Sequence, residues 1–170
     1  MTGTPSQAAF LSKLNECKGI LHKICNLYAS SASDREDLFQ EMVIQLWNGY
    51  PRFREEAKFS TWLYRIALNT AISDLRKQSR HVEISYPEFI PKEESDSDDN
   101  AEKEEKLREL YTAIGKLSEI DKAIVMLYLD GKNYEEMEEI LGINQNNLRV
   151  KMNRIKDKLR QMTKTEVYGS

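Results

Sequence analysis

Apolar residues recur every three or four positions along most of this chain, and the interruptions mark where elements end. Phe10, Leu14, Cys17, Leu21, Ile24 and Tyr28 keep that spacing, which predicts a first helix over about 7–30. Ser33 followed by Glu36 has capping-box spacing and opens a second helix to about Trp47, with Leu38, Met42, Val43 and Leu46 on one face. Gly49-Tyr50-Pro51 stops it. After the charged loop 52–58, Ser60 caps a third helix, about 61–78, carrying Trp62, Leu63, Ile66, Ala67 and Leu75. The pattern lapses over 82–104, where two prolines, serines and acids predict a flexible linker. Helical spacing resumes near Ala101. Ser118 with Asp121, Asn133 with Glu136, and Asn144 open three further helices, the first ending at Asp130-Gly131. The expectation is an all-α protein: a three-helix domain at 7–81, an acidic flexible linker at 82–104, and a four-helix domain at 105–164.

The last two helices carry the sharpest pattern. YEEMEEIL, then a turn containing Gly142, then NQNNLRVKMNRIKDKL is the layout of a helix-turn-helix whose second helix enters a DNA major groove. Leu148, Met152, Ile155, Leu159 and Met162 recur as a stripe for packing. Arg149, Lys151, Arg154, Lys156, Lys158, Arg160 and Lys164 set seven positive charges against one negative, Asp157. One face can therefore pack while the other meets phosphates and base edges. Gly142 suits the left-handed residue that ends the first of the two helices.

Bulk properties narrow the class. At 170 residues the chain holds one or two small domains. No apolar run is long enough to span a membrane, and MTGTPSQAAF lacks a signal-peptide layout. Cys17 and Cys25 would stand roughly 12 Å apart on one helix, too far for a disulfide, which predicts reduced thiols and a cytoplasmic location. The net charge of −3 hides segregation, because ten acids and two lysines in 82–105 give −8 and leave the rest at +5. The acidic isoelectric point therefore does not argue against nucleic acid.

Two separated blocks then match one family. DREDLFQEMVIQLWNGYPRF and FSTWLYRIALNTAISDLRKQSR, followed by LSEIDKAIVMLYLDGKNYEEMEEILGINQNNLRVKMNRIKDKLR, resemble a bacterial RNA polymerase sigma factor of the extracytoplasmic-function (ECF) group. The first two resemble sigma region 2 and the last region 4. The resemblance implies a promoter-specificity subunit that is not itself an enzyme. It implies binding to core RNA polymerase, at the clamp of the largest subunit and the flap of the second-largest. It also implies recognition of −35 and −10 promoter DNA, help in melting the −10 element, and control by an anti-sigma factor. No cofactor is implied.

Residue by residue, the polar face Asp37, Gln40 and Glu41 matches the family's clamp-binding positions; by chemistry alone it is equally a solvated helix face. Aromatics and bases interleave through Trp62, Tyr64, Arg65, Asn69, Arg76, Lys77 and Arg80, a composition that holds single-stranded bases by stacking; the bland alternative is a core Trp with snorkelling arginines. The resemblance assigns this helix, with the loop residues Arg54, Glu55, Glu56, Ala57 and Lys58, to the −10 non-template strand and a flipped base. Where other sigma classes have two adjacent tryptophans as a wedge, this chain has Trp62-Leu63. Ser73 stands where the family commonly has Asp, with Asp74 next to it. For the −35 element the candidates are Asn144, Gln145, Asn146, Asn147, Arg149, Lys151, Asn153 and Arg154. Val150 either meets a thymine methyl or packs. Lys156, Lys158 and Arg160 are phosphate contacts or solvated side chains. His22, Cys17 and Cys25 do not make a metal site, and no triad, P-loop or paired acid–base set is present. A free-standing helix-turn-helix regulator is the runner-up reading, and a pure interaction protein, such as a decoy of polymerase, is the third.

Overall fold

The computed structural model describes residues 6–78 and 98–168. Among these residues the chain is helical, with eight α-helices, one 3₁₀ turn and no strand. Arg80, His81 and most of the expected linker lie outside the described residues.

The expected first helix is two helices, α1 (Gln7–Glu16) and α2 (Lys18–Tyr28). Cys17 leaves helical geometry at φ −106°, ψ 7°, and its N–H bonds to the Leu14 carbonyl at 3.1 Å. The break re-aims the chain, so that Phe10 and Leu14 on one side and Leu21, Ile24 and Tyr28 on the other are all buried. Helix α3 (Ala32–Gly49) is capped by Ser31, not Ser33: the Ser31 hydroxyl accepts from the Asp34 N–H at 3.0 Å. Ser31 has the extended backbone that a cap requires, whereas Ser33 is already inside the helix. A 3₁₀ turn at Tyr50–Arg52 contains Pro51 and ends the segment. Helix α4 (Phe59–Gln78) begins two residues earlier than expected, with Ser60 inside it. Its first turn is closed by the Trp62 N–H bonding to the Lys58 carbonyl at 3.1 Å.

Helix α5 (Asp98–Gly115) starts inside the stretch expected to be linker, so residues 98–104 are helical. Helices α6 (Glu119–Leu129), α7 (Tyr134–Leu141) and α8 (Gln145–Tyr168) complete the fold. Their caps are those expected. Ser118 accepts from the Asp121 N–H at 3.2 Å and Asn133 from the Glu136 N–H at 2.8 Å. Asn144 Oδ1 accepts from the N–H groups of Asn146 and Asn147 at 2.8 and 3.3 Å. Gly142 ends α7 at φ 70°, a left-handed conformation that a side chain disfavours.

The core of the first half is built by α2, α3 and α4, through Leu21, Ile24, Leu38, Met42, Leu46, Leu63 and Leu68. That of the second half is built by α6, α7 and α8, through Ile124, Leu127, Met137, Leu148, Met152 and Ile155. The two cores are continuous, because α4 packs on α6 and α7. Polar contacts cross the same seam. Tyr28 donates to the Glu119 carbonyl at 2.5 Å, Lys23 pairs with Asp130 at 2.9 Å, Arg76 with Glu119 at 2.5 Å, and the Tyr64 hydroxyl bonds to the Asp130 carboxylate.

Candidate nucleic-acid interface

Three surfaces collect the candidate residues. The first is α8 with the turn before it. Leu148, Met152 and Ile155 are buried, while Arg149, Val150, Asn153 and Arg154 are exposed and Lys151 is half-buried. The stripe and the basic face therefore separate as the sequence spacing requires. Arg149 is held in place by Asn146 Oδ1 at 3.3 Å and by the Tyr134 ring, 5.2 Å from its guanidinium carbon. Asn144 and Asn147 are exposed and Gln145 half-buried, but the Asn144 side-chain oxygen is taken up in capping α8. Its amide NH₂ is the end still available to a phosphate. Farther along, Lys158 reaches Asp121 at 3.8 Å, Lys156 lies 4.9 Å over the Tyr128 ring, and Arg160 pairs with Asp157 at 3.5 Å. Tyr134 and Tyr128 are supports that periodicity does not reveal, because each lies at the end of its helix.

The second surface is loop 53–58 with the adjoining face of α4. Arg54, Lys58, Arg65, Asn69, Arg76 and Lys77 are all exposed here. Trp62 is not a free stacking platform. It is half-buried in a cluster with Phe53 at 5.1 Å, Phe59 at 5.4 Å and Tyr50 at 6.3 Å between ring centroids. Phe53 and Phe59 meet edge-to-face at 5.6 Å, so the two ends of the loop are pinned together. A Cβ on Gly49 would lie 3.3 Å from Ile66 and 3.4 Å from Trp62, so this glycine lets α3 approach α4 closely. Tyr64, expected among the strand-holding side chains, is 2 % exposed and faces the second half of the chain. A run of aromatics and bases states composition, not face, and the face at Tyr64 is the packed one. Arg76 is tied across the seam to Glu119. Helical spacing does not single out Tyr50, Phe53 and Phe59, since they flank a loop and belong to no helical period.

The third surface is on α3. Asp37, Gln40 and Glu41 are exposed on one face, with Glu41 accepting from Gln45 at 3.0 Å. Ile44, one turn on, is 50 % exposed and gives this acidic face an apolar neighbour. On α4, burial raises the Asp74 carboxyl above its usual range, opposed by Lys77 and reinforced by Asp34, Glu41 and Asp37.

Elsewhere, Cys17 and Cys25 are free, and burial pushes the Cys25 thiol up to about 11. His22 stacks on Phe39 at 4.9 Å. No helix among the described residues is long and apolar enough to cross a membrane.

Comparison with known proteins decides the family. The sigma-70 region 2 model matches residues 14–81, and the sigma-70 region 4 model matches residues 107–159. An ECF RNA polymerase sigma-E factor of Escherichia coli (strain K12) is 33% identical over 133 residues, covering 71% of this chain and 70% of that protein. The chain belongs to the ECF group of RNA polymerase sigma factors. The sigma factor SigV of Bacillus subtilis is 25% identical over 166 residues, 95% of this sigma factor and 96% of SigV. Among solved structures, the fold matches RpoE of Bartonella quintana in complex with the anti-sigma factor NepR. The TM-score is 0.74 at 22% identity, covering 92% of this chain and 97% of that one. CnrH in complex with the cytosolic domain of CnrY gives a TM-score of 0.68 at 19% identity, covering 96% and 93%. The three surfaces therefore belong to an ECF sigma factor, with the helix-turn-helix inside region 4 and the aromatic loop inside region 2.

Proposed function

We propose that this sigma factor directs promoter-specific initiation by contacting core polymerase and both promoter elements at separate surfaces. The observation that carries this reading is the division of α8, where Leu148, Met152 and Ile155 are buried while Arg149, Asn153 and Arg154 face solvent. A helix so divided docks in a major groove without exposing its core, and its arginines suit bidentate contacts to guanine. In this reading Arg149, Lys151, Asn153 and Arg154 read the −35 element. Asn144, Gln145, Asn147 and Lys158 approach phosphates.

Region 2 contacts the −10 element through Arg54, Lys58, Arg65, Asn69, Arg76, Lys77 and Arg80, with Trp62 forming the floor under loop 53–58. A base leaving the duplex would lodge against that loop, and the cations would hold the strand backbone. Asp37, Gln40 and Glu41, with Ile44 beside them, face the clamp of the polymerase's largest subunit, and region 4 faces the flap of the second-largest. The protein is a specificity subunit and contributes no catalytic residue. It works in the cytoplasm. Engagement of the −10 strand by Arg76 requires its pair with Glu119 to open.

An anti-sigma factor is the regulating partner in this reading. RpoE is found in complex with the anti-sigma factor NepR and CnrH with the cytosolic domain of CnrY, and this chain shares their fold. The test for melting is permanganate reactivity of thymines in the −10 region. Reactive thymines that need both core enzyme and this protein support the reading. Promoter fragments that stay unreactive when initiation is supported only on pre-melted templates refute the melting role.

A further inference from the structure

Lys13 lies on α1, outside every surface described so far, yet it touches loop 53–58 at two places and the first residue of α4 at a third. Its ammonium lies 5.4 Å over the Phe53 ring and 5.7 Å over the Phe59 ring, the two residues that bracket the loop. It also pairs with Glu55, in the middle of the loop, at 3.8 Å. The Lys13 side chain is 36% exposed and the Glu55 side chain 86%. None of these contacts is strong alone, since an exposed ion pair contributes little and a cation–π contact at a wet site is modest. What matters is that one side chain joins the start, middle and end of a loop whose residues 54–58 are otherwise exposed.

We propose that Lys13 is a positioning residue for −10 recognition: it holds loop 53–58 in the single shape that receives the unstacked base. This rests on the reading of the loop given under Proposed function. A loop held in one shape discriminates between bases better than one free to reshape around each of them, because an adaptable loop also finds contacts to the wrong base. Lys13 itself acts on the loop, not on the DNA, and neutralising it should blunt base choice more than overall binding.

The experiment uses holoenzyme reconstituted with the wild-type chain, Lys13→Met or Lys13→Arg. Each is assayed on a promoter set carrying all four bases at every −10 position, at two salt concentrations. Methionine keeps the apolar stem and removes the charge. The expected result is that Lys13→Met lowers the preference ratio at the captured position by about five-fold, the scale of two lost cation–π contacts. Lys13→Arg retains the ratio, affinity for core polymerase stays unchanged in both variants, and thermal melting of Lys13→Met falls by no more than about 4 °C. A uniform loss across all promoters with a shallower salt dependence would make Lys13 a phosphate contact and overturn the proposal. An unchanged ratio in Lys13→Met would overturn it too. A wild-type holoenzyme with no base preference in the −10 region would instead overturn the reading of the loop itself.

Discussion

The hydroxyl of Tyr64 on α4 donates to the carboxylate of Asp130 at the end of α6, so a buried side chain of region 2 terminates on region 4. At the other end of α6, Tyr28 donates to the Glu119 carbonyl at 2.5 Å. Helix α6 is thus gripped at both ends by phenols from the first half. Burial raises both phenols above their ordinary range, and for Tyr64 the hydrogen bond to Asp130 adds to it. Tyr64→Phe should loosen the seam by about 2 kcal/mol, the scale of a hydrogen bond to a charged acceptor. Hydrogen exchange in α6 should quicken and the radius of gyration should grow. Unchanged exchange would show that apolar packing alone holds the halves together.

On α8, the residues proposed to read bases and those proposed to meet phosphates should respond differently to substitution. Arg154→Ala should lower activity at cognate promoters about ten-fold, as expected for one lost bidentate pair. Affinity for core polymerase should not change. Lys158→Ala should instead weaken all promoters alike and reduce the salt slope by about one. Side-by-side titrations on matched and −35-scrambled promoters check both. Equal loss on both templates for Arg154→Ala would remove it from base recognition.

The face of α3 should behave as a docking patch. Glu41→Lys reverses a charge at an exposed position and should weaken binding to core polymerase by about ten-fold or more. Ile44→Ala should weaken it further, because a half-exposed isoleucine beside the acids offers area for burial. Neither should move the melting temperature by more than a degree or two, in keeping with exposed sites. Labelled core enzyme in an affinity titration provides the measurement, and undiminished affinity in Glu41→Lys would disqualify the patch.

Lys122 is 6 % exposed at the seam, with its ammonium 5.7 Å over the Tyr28 ring. Burial lowers its pKa from the ordinary 10.5, with Glu119 opposing the shift. The folded chain thus holds this proton less tightly than the unfolded chain does. That contribution to stability is fully present above the unfolded value and is lost as pH falls through the folded one, so at neutral pH the ammonium is held at a cost. Lys122→Met should therefore raise the melting temperature near pH 7, and the gain should shrink as pH approaches 10.5. Thermal melts across pH 6 to about 10 test this; a gain that grows with pH would contradict the sign.

Local chemistry made much of this fold legible, and tertiary packing decided the rest. Ser118, Asn133 and Asn144 are read correctly as caps because each stands alone before a helical run. Ser31 and Ser33 compete two residues apart, and only backbone geometry chooses Ser31. The break at Cys17 is hidden because apolar spacing continues through it. Segregation of the α8 stripe from its basic face is readable from period alone, but the burial of Tyr64 depends on α6, which is distant in sequence. Likewise, Phe53 and Phe59 look unremarkable on either side of a charged loop until the fold brings their rings together.

Reconstituted transcription tests the central claim most directly. Purified bacterial core RNA polymerase with this protein, on genomic promoter fragments, should initiate at discrete start sites that disappear when the protein is omitted. Upstream of those sites the −35 and −10 elements should emerge from alignment. No initiation, combined with tight binding of duplex DNA by the protein alone, would contradict the account and indicate a free-standing helix-turn-helix regulator.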